Sequence, residues 1–556
     1  TQAVAVAAGF LGSFGGQETH GWRPLSRYNA GLFIDKEAHM PGTYETDAAV
    51  KNGTKRFIFA CLAIVLQVLA IVAVNYFFIE RVELFSVISR LVGALLVLFI
   101  YNENMTSSMK MTWMILIMAL PIFGITFYVL VGLNGHTLKM GRRYQEVDER
   151  LLPLLPTGEE ALARLRERDR GAANIARYVQ TASSYPLFDD TDITYYADAV
   201  DGLEAQKEEL RRAKRFIFME YHAIEDAQSW HGIQDILVER VQAGVEVRVF
   251  YDDMGSIGFI NTDFVDRLEA KGIHAKVFNP FAPGLNVFLN NRDHRKITVI
   301  DGKVGFTGGY NLANEYFHIT EPFGHWKDTG VRLTGPAVQS LTVAFLEMWN
   351  AAAEGDAEDA SFERYLPAVP ACEQAQGFVL PYADSPMDSV QVGEDVYISV
   401  AEYARDYVWF VTPYLIITDE MNRAFSLAAQ RGVDVRIITP GIPDKKIVYS
   451  LTRSYYHNLA RNGVRIYEYT PGFCHAKMSI ADDTLATCGT INLDYRSLYH
   501  HFENGCLYYG CDAVAATKAD FEWMLAQSHE VTEDYRDPVA AARLGSLILR
   551  LVAPLM

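Results

Sequence analysis

The stretch DHRKITVIDGKVGFTGGYN, residues 293–311, places His294 and Lys296 two apart, then Asp301, then Asn311 just beyond a Gly-Gly step. The stretch CHAKMSIADDTLATCGTIN, residues 474–492, repeats the pattern with His475, Lys477, Asp482 and Asn492. Both fit His-x-Lys-x4-Asp-x6-Gly-(Gly/Thr)-x-Asn. A lone His-x-Lys is structural in most proteins. A full set of specified positions recurring at one spacing is not a chance event, and a repeat kept only for packing has no need of His and Lys. One site built from two halves is the expectation.

Such a site offers two imidazoles, two fixed cations and two amides, which suits a phosphate diester. The lysines and asparagines would hold the non-bridging oxygens and stabilise charge in the transition state. One imidazole would attack phosphorus. The other would protonate the leaving oxygen and then take a proton from the incoming hydroxyl. No metal or other cofactor is expected, because the lysines already supply the positive charge.

Other candidates read more weakly. Asp252 and Asp253 in FYDDMGS could suggest Mg²⁺ ligands, but at a strand end a local structural or rim role fits better. The adjacent His500 and His501 read as incidental. The six cysteines show no zinc or disulfide spacing and read as reduced thiols.

The elements that must position the two signatures are strands. KITVI (296–300) is rich in β-branched residues and runs into the turn signal Asp301-Gly302 before VGFTGG resumes. KMSIADD turns likewise at Asp482-Asp483. On an extended chain, residues two apart face the same side, so each His shares a face with its Lys. Upstream, RFIFMEYHAI reads as a strand, HGIQDILVERVQAG as an amphipathic helix and VEVRVFYDD as the next strand. The order recurs as YVWFVTPYLI, DEMNRAFSLAAQRG and VDVRIITPG. The fold class is therefore α/β, with two similar halves at 181–355 and 375–540 joined by an acidic linker, 356–374.

Before these halves lie a flexible tail (1–50), a membrane region (51–140) and a helical connector (141–180). The runs 57–79 and 111–132 carry no charge, and 84–102 contains Arg90. Each is near the ~20 residues needed to cross a bilayer. Basic residues flank both ends of the region, which favours a cytoplasmic catalytic part and an even number of crossings, whereas the runs number three. The segment 541–556 is apolar and amphipathic; a helix packed on the domain is the first expectation, a membrane-surface contact the second. The net charge of −18 argues against a nucleic-acid binder.

The duplicated His-Lys-Asp signature resembles that of the phospholipase D superfamily. YDDMGS, DHRKITVIDGKVGFTGGYNLANEY, HWKDTGVRLTGPAVQSL, TPYLIITDEM, NLDYRSL with HFENG, and LVAPLM resemble the bacterial cardiolipin synthases of that type more closely. The extra hydrophobic run and the long tail depart from the pattern. The resemblance implies transfer of a phosphatidyl group between two phosphatidylglycerol molecules, giving cardiolipin and glycerol, with hydrolysis to phosphatidic acid as the alternative. It implies phosphatidylglycerol and membrane lipids as partners, and a multi-pass place in a bacterial cell membrane. Carried over by position, His294 would be the nucleophile and His475 the general acid/base. Lys296, Lys477, Asn311 and Asn492 would bind phosphate, and Asp301 and Asp482 would close the strand turns. Asp328 and Glu503 would be the carboxylates that orient the imidazoles.

Overall fold

The computed structural model describes residues 83–103, 105–131, 135–280, 291–352, 359, 361–388, 390–537 and most of 549–555, with scattered positions between 58 and 73. The tail 1–50 lies outside the described residues.

Segments rich in β-branched and aromatic residues form two mixed sheets. The first half supplies β1 (Asp192–Tyr196), β2 (Phe216–Tyr221), β3 (Glu246–Asp252), β4 (His274–Phe278), β5 (Arg292–Asp293), β6 (Lys296–Ile300), β7 (Val304–Gly308), β8 (His325–Lys327) and β9 (Gly330–Thr334). The second half supplies β10 (Phe378–Asp384), β11 (Tyr407–Val411), β12 (Leu415–Ile416), β13 (Asp434–Pro440), β14 (Arg465–Tyr469), β15 (Gly472–Cys474), β16 (Met478–Ala481), β17 (Leu485–Gly489), β18 (Leu493–Asp494), β19 (His501–Tyr509) and β20 (Ser528–Glu530).

The sheet orders are β1-β9-β7-β6-β2-β3-β4 and β10-β19-β17-β16-β11-β13-β14-β20. Strand for strand the second repeats the first, with β20 added at its edge. The signature hairpin β6-β7 takes the place of β16-β17. The parallel pairs β2-β3 and β11-β13 are each crossed over by one helix, Gln228–Gln242 and Asp419–Gln430. Aromatic stacking fixes helices to both sheets: Phe218 stacks on Phe345 of the helix Val338–Ala351, and Phe410 on Phe425 of the crossover helix, each at 4.5 Å between ring centres. Every residue of β6 and of β16 is buried: β6 lies between the helix Val338–Ala351 and Gln206 of Ala199–Arg212, and β16 packs against Val392–Tyr403 and Asp512–Ala526.

Besides the bridge between Phe188 and Val379, two short strand pairings join the halves next to the signatures. β5, immediately before His294, runs parallel to the start of β19. β8 runs parallel to β15, immediately before His475.

Asp301 and Asp482 sit at the far ends of β6 and β16, away from the histidines, with φ of 56° and 50°. Asp is one of the few non-Gly types that tolerates this left-handed region. The Asp301 carboxylate accepts the amides of Lys214, Arg215 and Phe216 at 2.7–3.0 Å. Asp482 accepts those of Arg405, Asp406 and Tyr407 at 2.7–2.9 Å. These aspartates clip each hairpin to the start of its neighbouring strand. Although both belong to the shared His-Lys-Asp motif, they hold the fold rather than face the histidines. Asp482→Ala should lower stability by about 1–3 kcal/mol in urea melts, since three amides lose their acceptor. Activity per folded molecule should be retained.

Two expectations change. The connector 141–180 is part of the core: the helices Gly135–Leu151 and Arg170–Ser183 contribute Tyr144, Val147, Leu151, Ile175 and Val179 to it. The run 111–132 is not one helix. It breaks at Leu120, and Pro121 opens a second helix that packs against the first at Gly124, where an added Cβ would stand 2.5 Å from the Ile117 Cα. Most of the run 57–79 falls outside the described residues, and no helix among the described residues is long and apolar enough to cross a membrane. Of the C-terminal segment, 541–548 lie outside the described residues; Leu549 and Ala553 pack on the domain, and Ala553 is buried.

Candidate active site

His294 and His475 line one cavity of about 530 Å³, together with Asn311 and Asn492. Its walls are largely aromatic and aliphatic, including Phe259, Tyr316, Phe323, Trp326, Ile416 and Val448.

The two inter-half strand pairings set the imidazoles. The His294 amide donates to the Phe502 carbonyl at 2.9 Å, so Glu503 arrives beside the His294 ring. The His475 amide donates to the Lys327 carbonyl at 2.7 Å, so Asp328 arrives beside the His475 ring. His294 Nδ1 lies 2.8 and 2.9 Å from the two Glu503 carboxylate oxygens. His475 Nδ1 lies 2.7 Å from Asp328 Oδ2. Each imidazole is thus oriented by a carboxylate from the other half. Binding the carboxylate through Nδ1–H leaves Nε2 of each ring for chemistry.

The Gly/Thr alternative in the signature follows from this arrangement. A Cβ at Gly309 would stand 2.1 Å from Asp328 Oδ1, so only glycine fits there. At the equivalent Thr490 the hydroxyl donates to Glu503, and the Ser497 hydroxyl donates to the other oxygen of that carboxylate.

Lys296 and Lys477 follow on the same faces and are almost fully buried. Lys296 Nζ donates to the His294 carbonyl at 2.6 Å, and Lys477 Nζ to the His475 carbonyl. Lys477 Nζ also lies 2.8 Å from His475 Nδ1. Burial, helped by Lys477 and against the pull of Glu503, lowers Lys296 to about 7. Burial lowers Lys477 to about 8, against the pull of Asp328 and Glu503. Asn311 is held by the Ala223 amide at 3.1 Å and the Tyr316 hydroxyl at 2.8 Å. Asn492 is buried with its Oδ1 unpartnered.

The two imidazoles differ in surroundings. His475 packs against Tyr316 and Trp326, with ring centres 5.2 and 5.7 Å away. Aromatic faces favour an imidazolium. Burial and Lys477 bring His475 down to about 4, against the pull of Asp328. Burial alone would raise Asp328, but His475 and Lys477 outweigh it and hold this carboxyl below the usual range, ionised. His294 instead lies between His222 and His501, with ring centres 4.9 and 5.4 Å away. Burial, Lys296 and these imidazoles keep it well below the ordinary value, and burial pushes its partner Glu503 up. Both rings are therefore neutral at rest; they differ in that the ionised Asp328 carboxylate stands ready to stabilise the imidazolium that forms when His475 takes up a proton.

Sequence reasoning missed His222 and His501. His501 stands two before Glu503 on β19, and that shared strand face was the available signal. Reading His500-His501 as incidental is corrected for His501, which lines the cavity. Asp252 is fully buried, accepts the Gly255 and Asp293 amides and pairs with Arg292 at 3.3 Å, which makes it a structural acid.

A model of the family described as cardiolipin synthase, phospholipase D-like domain matches residues 207–349 and 397–525. An uncharacterized protein of Streptococcus mutans is 43% identical over 83% of this chain and 99% of its own length. Cardiolipin synthase 2 of Bacillus anthracis is 33% identical over 85% of this chain and 91% of its own. Among solved structures, the phosphatidylserine synthase of Haemophilus influenzae shares the fold at TM-score 0.52 and 15% identity, covering 68% of this chain and 97% of its own.

Proposed function

The chain belongs to the phospholipase D-like cardiolipin synthase family, and from that premise we propose that it is a phosphatidyltransferase making cardiolipin and glycerol from two phosphatidylglycerol molecules. One observation carries the reading: two imidazoles, each oriented by a carboxylate of the opposite half, open on one apolar-walled cavity.

In the first half-reaction His294 Nε2 attacks phosphorus. The bond to the glycerol oxygen breaks, and that oxygen takes a proton from His475 Nε2. A phosphatidyl group remains on His294. In the second, the terminal hydroxyl of another phosphatidylglycerol gives its proton to His475 and attacks phosphorus, releasing His294. One diester replaces another, so no nucleotide is required. Lys296 and Lys477 neutralise the phosphoryl oxygens, and Asn311 and Asn492 border them. The neutral ring at His294 suits the nucleophile. The aromatic faces and the ionised Asp328 suit a proton carrier at His475.

The apolar walls take the lipid and exclude water, which favours transfer over hydrolysis. We place the enzyme at the cell membrane, with the catalytic halves on the cytoplasmic side, as the flanking basic residues indicate. Leu91, Leu95, Leu98 and Met118 are 62–67% exposed, as a lipid-facing surface would be. This helical region reaches the cavity through the C-terminal segment: Thr112 donates to the Leu551 carbonyl at 2.7 Å, and Ala553 lines the cavity wall.

The test is product analysis from phosphatidylglycerol in mixed micelles. Cardiolipin with free glycerol supports the transferase. Phosphatidic acid alone would make the enzyme a hydrolase.

A pH dependence follows. In the free enzyme Lys296 loses its proton through about 7 and Lys477 through about 8. An anionic diester restores both charges, so binding takes up protons. kcat/KM should fall with rising pH, approaching about tenfold per unit between 7 and 8 and about a hundredfold per unit above 8, where both lysines must be recharged. A flat profile from pH 7 to 9 would contradict this.

A further inference from the structure

A second group of potential ligands lies apart from the residues lining the catalytic cavity. Asp198, His318 and His325 come from three segments and place one ligand atom each within 4.8 Å of one another. Asp198 caps the helix Ala199–Arg212 through Oδ1, which accepts the Val200 amide at 2.8 Å. Its Oδ2 is 3.2 Å from His318 Nε2. His318 follows the short helix Asn314–Phe317 and holds φ 54°. His325 opens β8, and its ring stacks on His318 with centres 4.6 Å apart.

The surroundings resemble those of a metal site. His325 Nδ1 is 2.9 Å from the Tyr469 hydroxyl, a contact that fixes the ring and turns Nε2 away from Tyr469. Ligating histidines are commonly held in this way through their other nitrogen. Two face-stacked imidazoles beside one carboxylate, with His318 Nδ1 buried and unpartnered, form a polar group whose hydrogen bonds are incomplete. All three residues are half-buried, so an ion can enter, and Glu321 is near enough to act on His325 electrostatically.

We propose that Asp198, His318 and His325 bind one zinc-type divalent ion, which staples the β7–β8 loop to the helix Ala199–Arg212. A two-imidazole, one-carboxylate set with an open fourth position suits Zn²⁺. Tetrahedral bonds of about 2.0–2.1 Å set ligand atoms roughly 3.3–3.4 Å apart, and Asp198 Oδ2 and His318 Nε2 already stand 3.2 Å apart. The ion takes no part in the chemistry. It fixes the start of β8, whose next residues deliver the Lys327 carbonyl and Asp328 to His475.

The test is calorimetric titration of the purified full chain with ZnCl₂, alongside His318→Asn, His325→Gln and His501→Asn. Asn accepts a left-handed backbone, so His318→Asn should fold normally. One ion per chain at micromolar affinity or tighter is expected. His318→Asn and His325→Gln should each weaken it at least ~30-fold, and His501→Asn should leave it unchanged. Saturating zinc should raise Tm by at least about 2 °C in the parent chain and not in His318→Asn. Absence of saturable binding would overturn the proposal. So would binding that survives both His318→Asn and His325→Gln but is lost in His501→Asn, because the ion would then sit at His294, His501 and Glu503, the other clustered set among the described residues.

Discussion

His294→Ala is expected to lower cardiolipin formation by at least ~10⁴-fold, in line with the loss of a nucleophile elsewhere. The ring is buried between His222 and His501 at the end of a short strand, and its removal leaves the sheet hydrogen bonds in place. The protein should stay folded, and circular dichroism beside the assay checks this. His475→Ala should be about as inactive on phosphatidylglycerol but should differ in one respect. A donor with a good leaving group, such as a phosphatidyl nitrophenol, needs no acid in the first step. His475→Ala should therefore still release nitrophenol in a stoichiometric burst, and His294→Ala should not. A burst from His294→Ala and none from His475→Ala would exchange the assigned roles, and equal bursts from both would abolish them.

The second large effect concerns the crossed carboxylates. Glu503→Gln and Asp328→Asn should each reduce kcat by about 10²–10⁴-fold, the scale seen when an orienting carboxylate is neutralised beside a catalytic imidazole. Both acids are fully buried, and both substitutions preserve volume. Asp328 touches the proposed proton carrier, so Asp328→Asn should be substantially rescued by the nitrophenol donor. Glu503 touches the proposed nucleophile, so Glu503→Gln should not be. The reverse pattern would mean that the pairing across the halves does not set the roles.

The repeated strand, helix and strand patterns were legible because strand and helix periodicities are local, and the turns at Asp301 and Asp482 carry local signals. The chemistry was legible because the signature occurs twice. The crossing was not. That Glu503 serves His294 and Asp328 serves His475 depends on β5-β19 and β8-β15, two- and three-residue pairings between segments far apart in the chain. No local pattern announces such pairings. The break at Leu120 was hidden for a different reason: Pro121 is compatible both with a kinked helix and with the start of a new one, and the close approach of Gly124 to Ile117 decides between them. His501 was missed because two adjacent histidines carry no information about which of them faces a cavity.

The central claim is that the phosphatidyl group passes through His294. Rapid chemical quench of the enzyme with phosphatidylglycerol labelled at phosphorus, followed by peptide mapping under alkaline conditions, tests it most directly. Label on the peptide containing His294, formed before cardiolipin and chased into it by unlabelled phosphatidylglycerol, is the expected result. Label on the His475 peptide, or turnover with no labelled peptide at any time, would contradict the account.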